Sequence, residues 1–190
     1  MRFISIITKI DAAKIQIDTA IRMLFNADNP IPIHTLSMAG FRILRDIAKN
    51  KKSSLYEKIE FMIKPEMMGE FWKLIQKYAN FIKHADKDPE GSINNFNEEI
   101  NDSILFLASL YYQDVGCKLT PEMLTITVWY SALHPDFIIE NTSSEYKSQV
   151  DVVKKTLIGK SRKEQLNIGK QALIISNRLH NEKELSNSKI

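Results

Sequence analysis

The chain has 190 residues, of which 44% are hydrophobic and 26% charged, with a formal net charge of +3. This is an ordinary globular balance for one domain with a buried core. The single cysteine, Cys117, excludes an internal disulfide framework and a cysteine-based zinc site, and no apolar run approaches the roughly 18 residues that a membrane-spanning helix needs.

Cys117 reads as a small hydrophobe at a helix end and fits a reducing cytosol, so a cytoplasmic location is expected. The opening "MRFISIITKID" has no small-residue cleavage site after its apolar patch, and a signal peptide is not expected. Six glycines and six prolines are too few for an all-β fold. "RFISII" is the only stretch resembling a strand.

Helical periodicity then runs through most of the chain. Thr8 and Asp11 predict an N-terminal cap, followed by an apolar stripe of Ala13, Ile17, Ile21 and Leu24. Pro30 and Pro32 in "NADNPIP" predict a break. A second helix, "IHTLSMAGFRILRDIAKN", follows with Leu36, Gly40, Ile43 and Ile47 on one face. Gly40 costs about 1 kcal/mol relative to alanine there, which points to a closely packed neighbour.

Ser54 and Glu57 predict a capping box for a short third helix. Pro65 opens a fourth, carrying Met68, Phe71, Trp72, Ile75, Ala79 and Ile82 inward. The fifth, "NEEINDSILFLASLYYQDVG", turns Ile100, Ile104, Leu107, Ala108 and Tyr111 inward and ends at Gly116. Thr120 and Pro121 start a sixth that His134-Pro135 terminates. Beyond a connector, two more helices are expected, broken at Gly159, with Ser161 and Glu164 capping the second.

These elements predict an all-α fold. Residues 1–140 form a single bundle of about five or six helices, and residues 141–190 a basic two-helix C-terminal extension. Residues 150–190 carry nine basic and four acidic side chains.

The fourth helix carries the most pointed chemistry. At 100° per residue, Lys73, Lys77, Asn80 and His84 run down the side opposite Trp72, Ile75, Ala79 and Ile82, with Phe81 beside them. The plain reading is a solvated face, but Phe81 is an odd residue to leave in water. In the functional reading, Asn80 and nearby cations hold a phosphate and His84 acts as acid or base, because imidazole titrates near neutrality. A metal reading gathers His84, Asp86 and Asp88 with His34; its spacing is not diagnostic, and neither metal nor cofactor is expected.

His34 lies in the first turn of the second helix, where the helix dipole favours an anion; packing or capping is its plainer role. Arg45 and Asp46 read as surface or interhelix ion-pair residues. Glu98, Glu99 and Asp102 sit in the first turn of the fifth helix, where carboxylates suit the dipole anyway. The "KKTLIGKSRK" cluster could meet phosphates but lacks interleaved aromatics.

Three segments carry a resemblance: Ile33-His34-Thr35-Leu36, Ile43-Leu44-Arg45-Asp46, and Asn80-Phe81-Ile82-Lys83-His84-Ala85-Asp86-Lys87-Asp88-Pro89. Over roughly residues 8–135 the chain resembles a set of bacterial helical proteins with no assigned activity. Asn80-x-x-x-His84 also resembles the HEPN domains, helical bundles of bacterial defence and toxin–antitoxin systems. Their ribonuclease members place an arginine before the polar residue and a histidine four to six positions after that arginine. Here Ala79 stands in the arginine position, and Lys77 or Lys83 would have to supply the phosphate cation.

Together these readings predict a cytosolic, HEPN-like binding or regulatory module that contacts RNA or a protein partner. Its expected focus is Asn80, His84, Asp86 and Asp88, joined by Lys77, His34 and Arg45, and a homodimer would bury the Phe81 face. The enzyme alternative is a metal-independent ribonuclease with His84 as general acid or base and Asn80 orienting the phosphate. A third reading has no active site and works through partner contacts of the basic tail.

Overall fold

The computed structural model describes residues 6–62, 65–84, 86, 88–135 and 143–187; within helices, the side chains of 59–62, 65–71, 74, 75 and 187 are outside that description. The described residues form helices and no strand. They are α1 (Lys9–Phe25), α2 (Pro30–Lys51), α3 (Ser54–Met62), α4 (Pro65–Lys83), α5 (Ile100–Asp114), α6 (Pro121–Leu133), α7 (Ser144–Leu157) and α8 (Arg162–Asn187). The chain is thus all-α, and no described helix is long and apolar enough to cross a membrane. Most of the strand-like start, the inward placing of Met68, Phe71 and Ile75, and residues 137–142 of the expected connector fall outside the described residues; the rest of that connector, from Ser144, belongs to α7.

Local chemistry accounts for the helix starts. Thr8 and Asp11 form the expected reciprocal cap: the Asp11 amide donates to Thr8 Oγ1 at 3.1 Å, and the Thr8 amide donates to Asp11 Oδ2 at 3.0 Å. The two prolines behave differently from the expected break. α2 begins at Pro30, with Asn29 accepting from the Ile31 amide at 2.9 Å, so both prolines sit in the first turn. Amides there have no intrahelical acceptor, so losing them is harmless.

The cap of α3 also shifts from expectation. Ser53 Oγ, not Ser54, accepts from the Tyr56 amide at 3.4 Å, while Ser54 Oγ donates to Asp114 Oδ1 at 3.2 Å. A distant carboxylate at the end of α5 therefore takes Ser54. The Ser161–Glu164 cap forms as expected, with the Ser161 amide donating to Glu164 Oε2 at 2.8 Å and the Glu164 amide to Ser161 Oγ at 3.4 Å.

α1 and α2 pack closely, and α5 lies against α2, α6, α1 and α3. α5 and α6 bury residues around most of their circumference, which explains why neither shows a clean polar face in sequence. The C-terminal helices enter the same core: Val150 and Leu157 of α7 and Leu166 and Leu173 of α8 join the cluster built on Ile17, Leu44, Ile104 and Trp129. Trp129 Nε1 donates to the Gln165 carbonyl at 2.9 Å, and a Cβ on Gly169 would overlap the Phe25 ring.

Gly40 is where α2 meets α1. A Cβ there would lie 2.7 Å from Ile17 Cγ1 and 3.2 Å from the Ala13 carbonyl oxygen. Ile17 is fully buried and has no room to turn aside. On an exposed helix Gly→Ala gains about 1 kcal/mol; here Gly40→Ala is expected to lose about 1–3 kcal/mol, because overpacking outweighs propensity. Urea unfolding measures the difference, and a stabilised variant would contradict this packing.

Candidate functional site

The outer face of α4 is laid out as the helical spacing requires. Lys73, Lys77, Asn80, Phe81, Lys83 and His84 are all exposed, whereas Tyr78 and Ala79 are buried. Phe81 leaves 40% of its surface in water. Arg42 of α2 reaches this face, donating from Nη2 to Gln76 Oε1 at 3.2 Å and, more weakly, to Asn80 Oδ1 at 3.4 Å. A guanidinium therefore stands beside Asn80 although position 79 holds alanine.

The far end of the face is acidic. His84 Nδ1 lies 3.8 Å from Asp86 Oδ1, and both side chains are largely exposed. Asp88 is exposed too; its carbonyl accepts from the Gly91 amide at 3.1 Å and closes the turn after α4. Solvent screens such pairs, so His84 is held loosely and its imidazole stays accessible.

His34 belongs to a different environment. It is fully buried, with its ring edge-on to Tyr78 at 5.7 Å and to Phe96 at 5.6 Å between centroids. Asn101 Nδ2 donates to the Pro30 carbonyl at 3.1 Å, which leaves Asn101 Oδ1 as the acceptor for His34 Nδ1 at 2.8 Å. That network assigns the Nδ1–H tautomer. Burial holds the imidazole below its ordinary pKa of 6.5, the Asn101 hydrogen bond opposing that effect, so at neutral pH the ring is uncharged. His34 and His84 therefore do not share a surface, and among the described residues no three His, Cys, Asp or Glu side chains converge as metal ligands would.

Arg45 is also set apart from His84. Its guanidinium lies 3.8 Å from the centroid of the Trp72 ring and 5.5 Å from that of Tyr56, joining α2, α3 and α4 through cation–π contact. Trp72 precedes His84 by three turns, about 18 Å along the helix. Lys77 is on the exposed face, its Nζ 5.5 Å from the Tyr78 ring centroid.

A second polar cluster was not anticipated in these roles. Asp102 is buried, and Arg162 Nη2 and Nη1 reach its two oxygens at 2.8 and 2.7 Å. Beside this pair opens a cleft of about 620 Å³ lined by Tyr78, Ser103, Phe106, Tyr130 and His134 among others. Ser103 Oγ and Tyr130 Oη lie 3.0 Å apart. With both its oxygens engaged, Asp102 fastens α8 to α5 rather than standing as an open base. The sequence did carry a signal: Asn101 and Asp102 directly precede a run too apolar to have a wet face.

No protein-family model, curated protein or solved structure matches this chain. Its chemistry therefore rests on the geometry of its own residues.

Asp102 also sets a pH dependence. Burial pushes its carboxyl from 3.8 up to about 6, against the hydrogen bonds and charge of Arg162, which favour the ionised form. Between those values the folded chain holds a proton that the unfolded chain has released, so this group's contribution to stability falls as pH rises through that window and is constant above about 7. His34 acts in the opposite sense, costing stability as pH falls below 6.5. Comparison with Asp102→Asn isolates the carboxyl: the stability advantage of the natural chain is expected to shrink by about 2 kcal/mol between pH 4.5 and 7.5. An advantage that is the same at both pH values in denaturant titrations would contradict the assignment.

Proposed function

We propose that this chain is an RNA-binding module of HEPN-like plan, working in the cytosol and engaging a single strand along the outer face of α4. The observation that carries the reading is Phe81, left 40% exposed among Lys73, Lys77, Asn80 and His84, with Arg42 alongside. A single strand needs cations for its phosphates and a flat apolar ring for its bases, and this face offers both within two or three helical turns. Asn80 and His84 add hydrogen-bonding groups, in the Asn-x-x-x-His spacing that resembles the HEPN motif. Arg42, arriving from α2, occupies the neighbourhood that the motif's arginine would serve. Asp86 and Asp88 mark the end of the track, because carboxylates repel phosphates.

Binding is favoured over cleavage by the setting of His84. A metal-independent ribonuclease needs an acid and a base placed on either side of a reacting phosphate. His84 is exposed and lies beside the exposed carboxylate of Asp86, an arrangement suited to contact rather than to a desolvated reaction centre.

Fluorescence anisotropy with labelled single-stranded RNA tests the reading. Affinity is expected to fall steeply with salt, and Lys77→Glu should flatten that slope as one phosphate contact is lost. Phe81→Ala should weaken binding by about 1–3 kcal/mol, the worth of one stacked base. No salt-dependent binding by the natural chain would overturn the proposal. Metal-independent RNA degradation abolished by His84→Ala would replace it with the ribonuclease reading.

A further inference from the structure

We propose that the cleft between α5, α6 and α8 binds a small organic cation, an ammonium group carried on an apolar body. It does not rest on the RNA reading: Tyr78 reaches the cleft from the buried side of α4. At about 620 Å³ the cleft has the size of a small-molecule site. Its walls are apolar, with Ile100 and Leu107 of α5 and Leu133 of α6 half-buried beside Phe106. Tyr130 has Phe106 and His134 against its ring, at 4.5 and 4.4 Å between centroids. The polar group it brings to the cleft is its hydroxyl, 3.0 Å from Ser103 Oγ.

The charge of this lining is negative although the chain as a whole is +3. Besides His134 and the tyrosines, its ionisable side chains are Glu99, Asp102 and Arg162. Arg162 holds both oxygens of Asp102, at 2.7 and 2.8 Å, which cancels that pair and leaves Glu99 in excess. Burial raises the Asp102 carboxyl, and the charges of Glu99 and Glu98 push it the same way against Arg162. Their negative field therefore reaches the floor of the cleft. Lys163 lies in the lining of the adjoining hollow, with Asp28 and Glu98, and not in this one. A low-dielectric cleft of one sign gathers counter-ions and repels carboxylates and phosphates.

The donor set fits an amine better than a metal ion. A metal needs converging ligands, and among the described residues no three His, Cys, Asp or Glu side chains come together. An ammonium has three N–H donors and needs only acceptors. Glu99 supplies a carboxylate at the rim, and Ser103 stands about 6 Å further along α5. The Ser103 and Tyr130 hydroxyl oxygens each carry two lone pairs, so they accept from a ligand as well as from each other. Apolar walls around this polar end call for a hydrocarbon body and not for a hydrated ion.

Calorimetric titration of the full chain tests this at about pH 8, where an ordinary imidazole is neutral and an aliphatic amine is charged. Phenethylamine, phenethyl alcohol and phenylpropionate share one body and differ at the end group. The amine is expected to bind about 10–100-fold more tightly than the alcohol, the worth of a charge-assisted hydrogen bond. The carboxylate is expected not to bind. Glu99→Gln should cut amine affinity by about 10-fold. Its unfolding should not change, because Glu99 is exposed and makes no side-chain cap bond. Tyr130→Phe keeps the ring stack and should also weaken the amine. No saturable amine binding at millimolar concentration, equal affinity for amine and alcohol, or amine binding indifferent to Glu99→Gln would each overturn the proposal.

Discussion

The burial of the first turn of α5 is the constraint on which the rest of the molecule depends. Asn101 and Asp102 enter the interior there, and buried polar groups are costly unless they are hydrogen-bonded. Asn101 is satisfied by α2, through the Pro30 carbonyl and the His34 ring. Asp102 is satisfied by α8, through both terminal nitrogens of Arg162. Two adjacent residues thus tie the central helix to an early and a late element of the chain. The burial of Asp102 remains unfavourable enough to displace its pKa, so this fastening contributes position more than stability.

Around that anchor the polar residues divide into two kinds. His34 and Arg45, which share a helix and read alike as candidates, are used for cohesion: one in a closed aromatic setting, the other stacked on Trp72. Lys73, Lys77, Asn80 and His84 stay in water, along with Phe81. Packed and solvated residues are thereby separated on opposite sides of α4, whose buried Tyr78 and Ala79 hold the outer face at a fixed orientation.

α8 has the same double character. Its Leu166, Gly169 and Leu173 side is pressed into the core, against residues that include Phe25, while Ile175 and Leu179 stay exposed on another side. A helix that owes its place to one face is free to present the other, because a packed helix has little freedom to roll. The net basic character of this segment, prominent in the sequence, is compatible with deep attachment: apart from Arg162, its charges ride on the outer sides while four apolar residues of α7 and α8 reach the common core.

The sequence by itself determined the elements. Caps at Thr8, Thr120 and Ser161, the helix stops at Gly116 and Gly159, and the two-sided character of α4 follow from interactions within a few residues, and local rules read those. The outer face of α4 was legible for the same reason: a helix converts spacing directly into direction. Prolines 30 and 32 read as a boundary, and the helix begins on them because Asn29 caps the turn and the first-turn amides they lack need no partner. What only the tertiary structure decided is which polar residues are enclosed. Nothing local supplies the Asn101 that satisfies His34, or joins Asp102 to Arg162 across 60 positions of chain. Such pairings arise when helices distant in sequence are packed together, because the partner that satisfies a buried group is chosen by the fold and not by its neighbours in the chain.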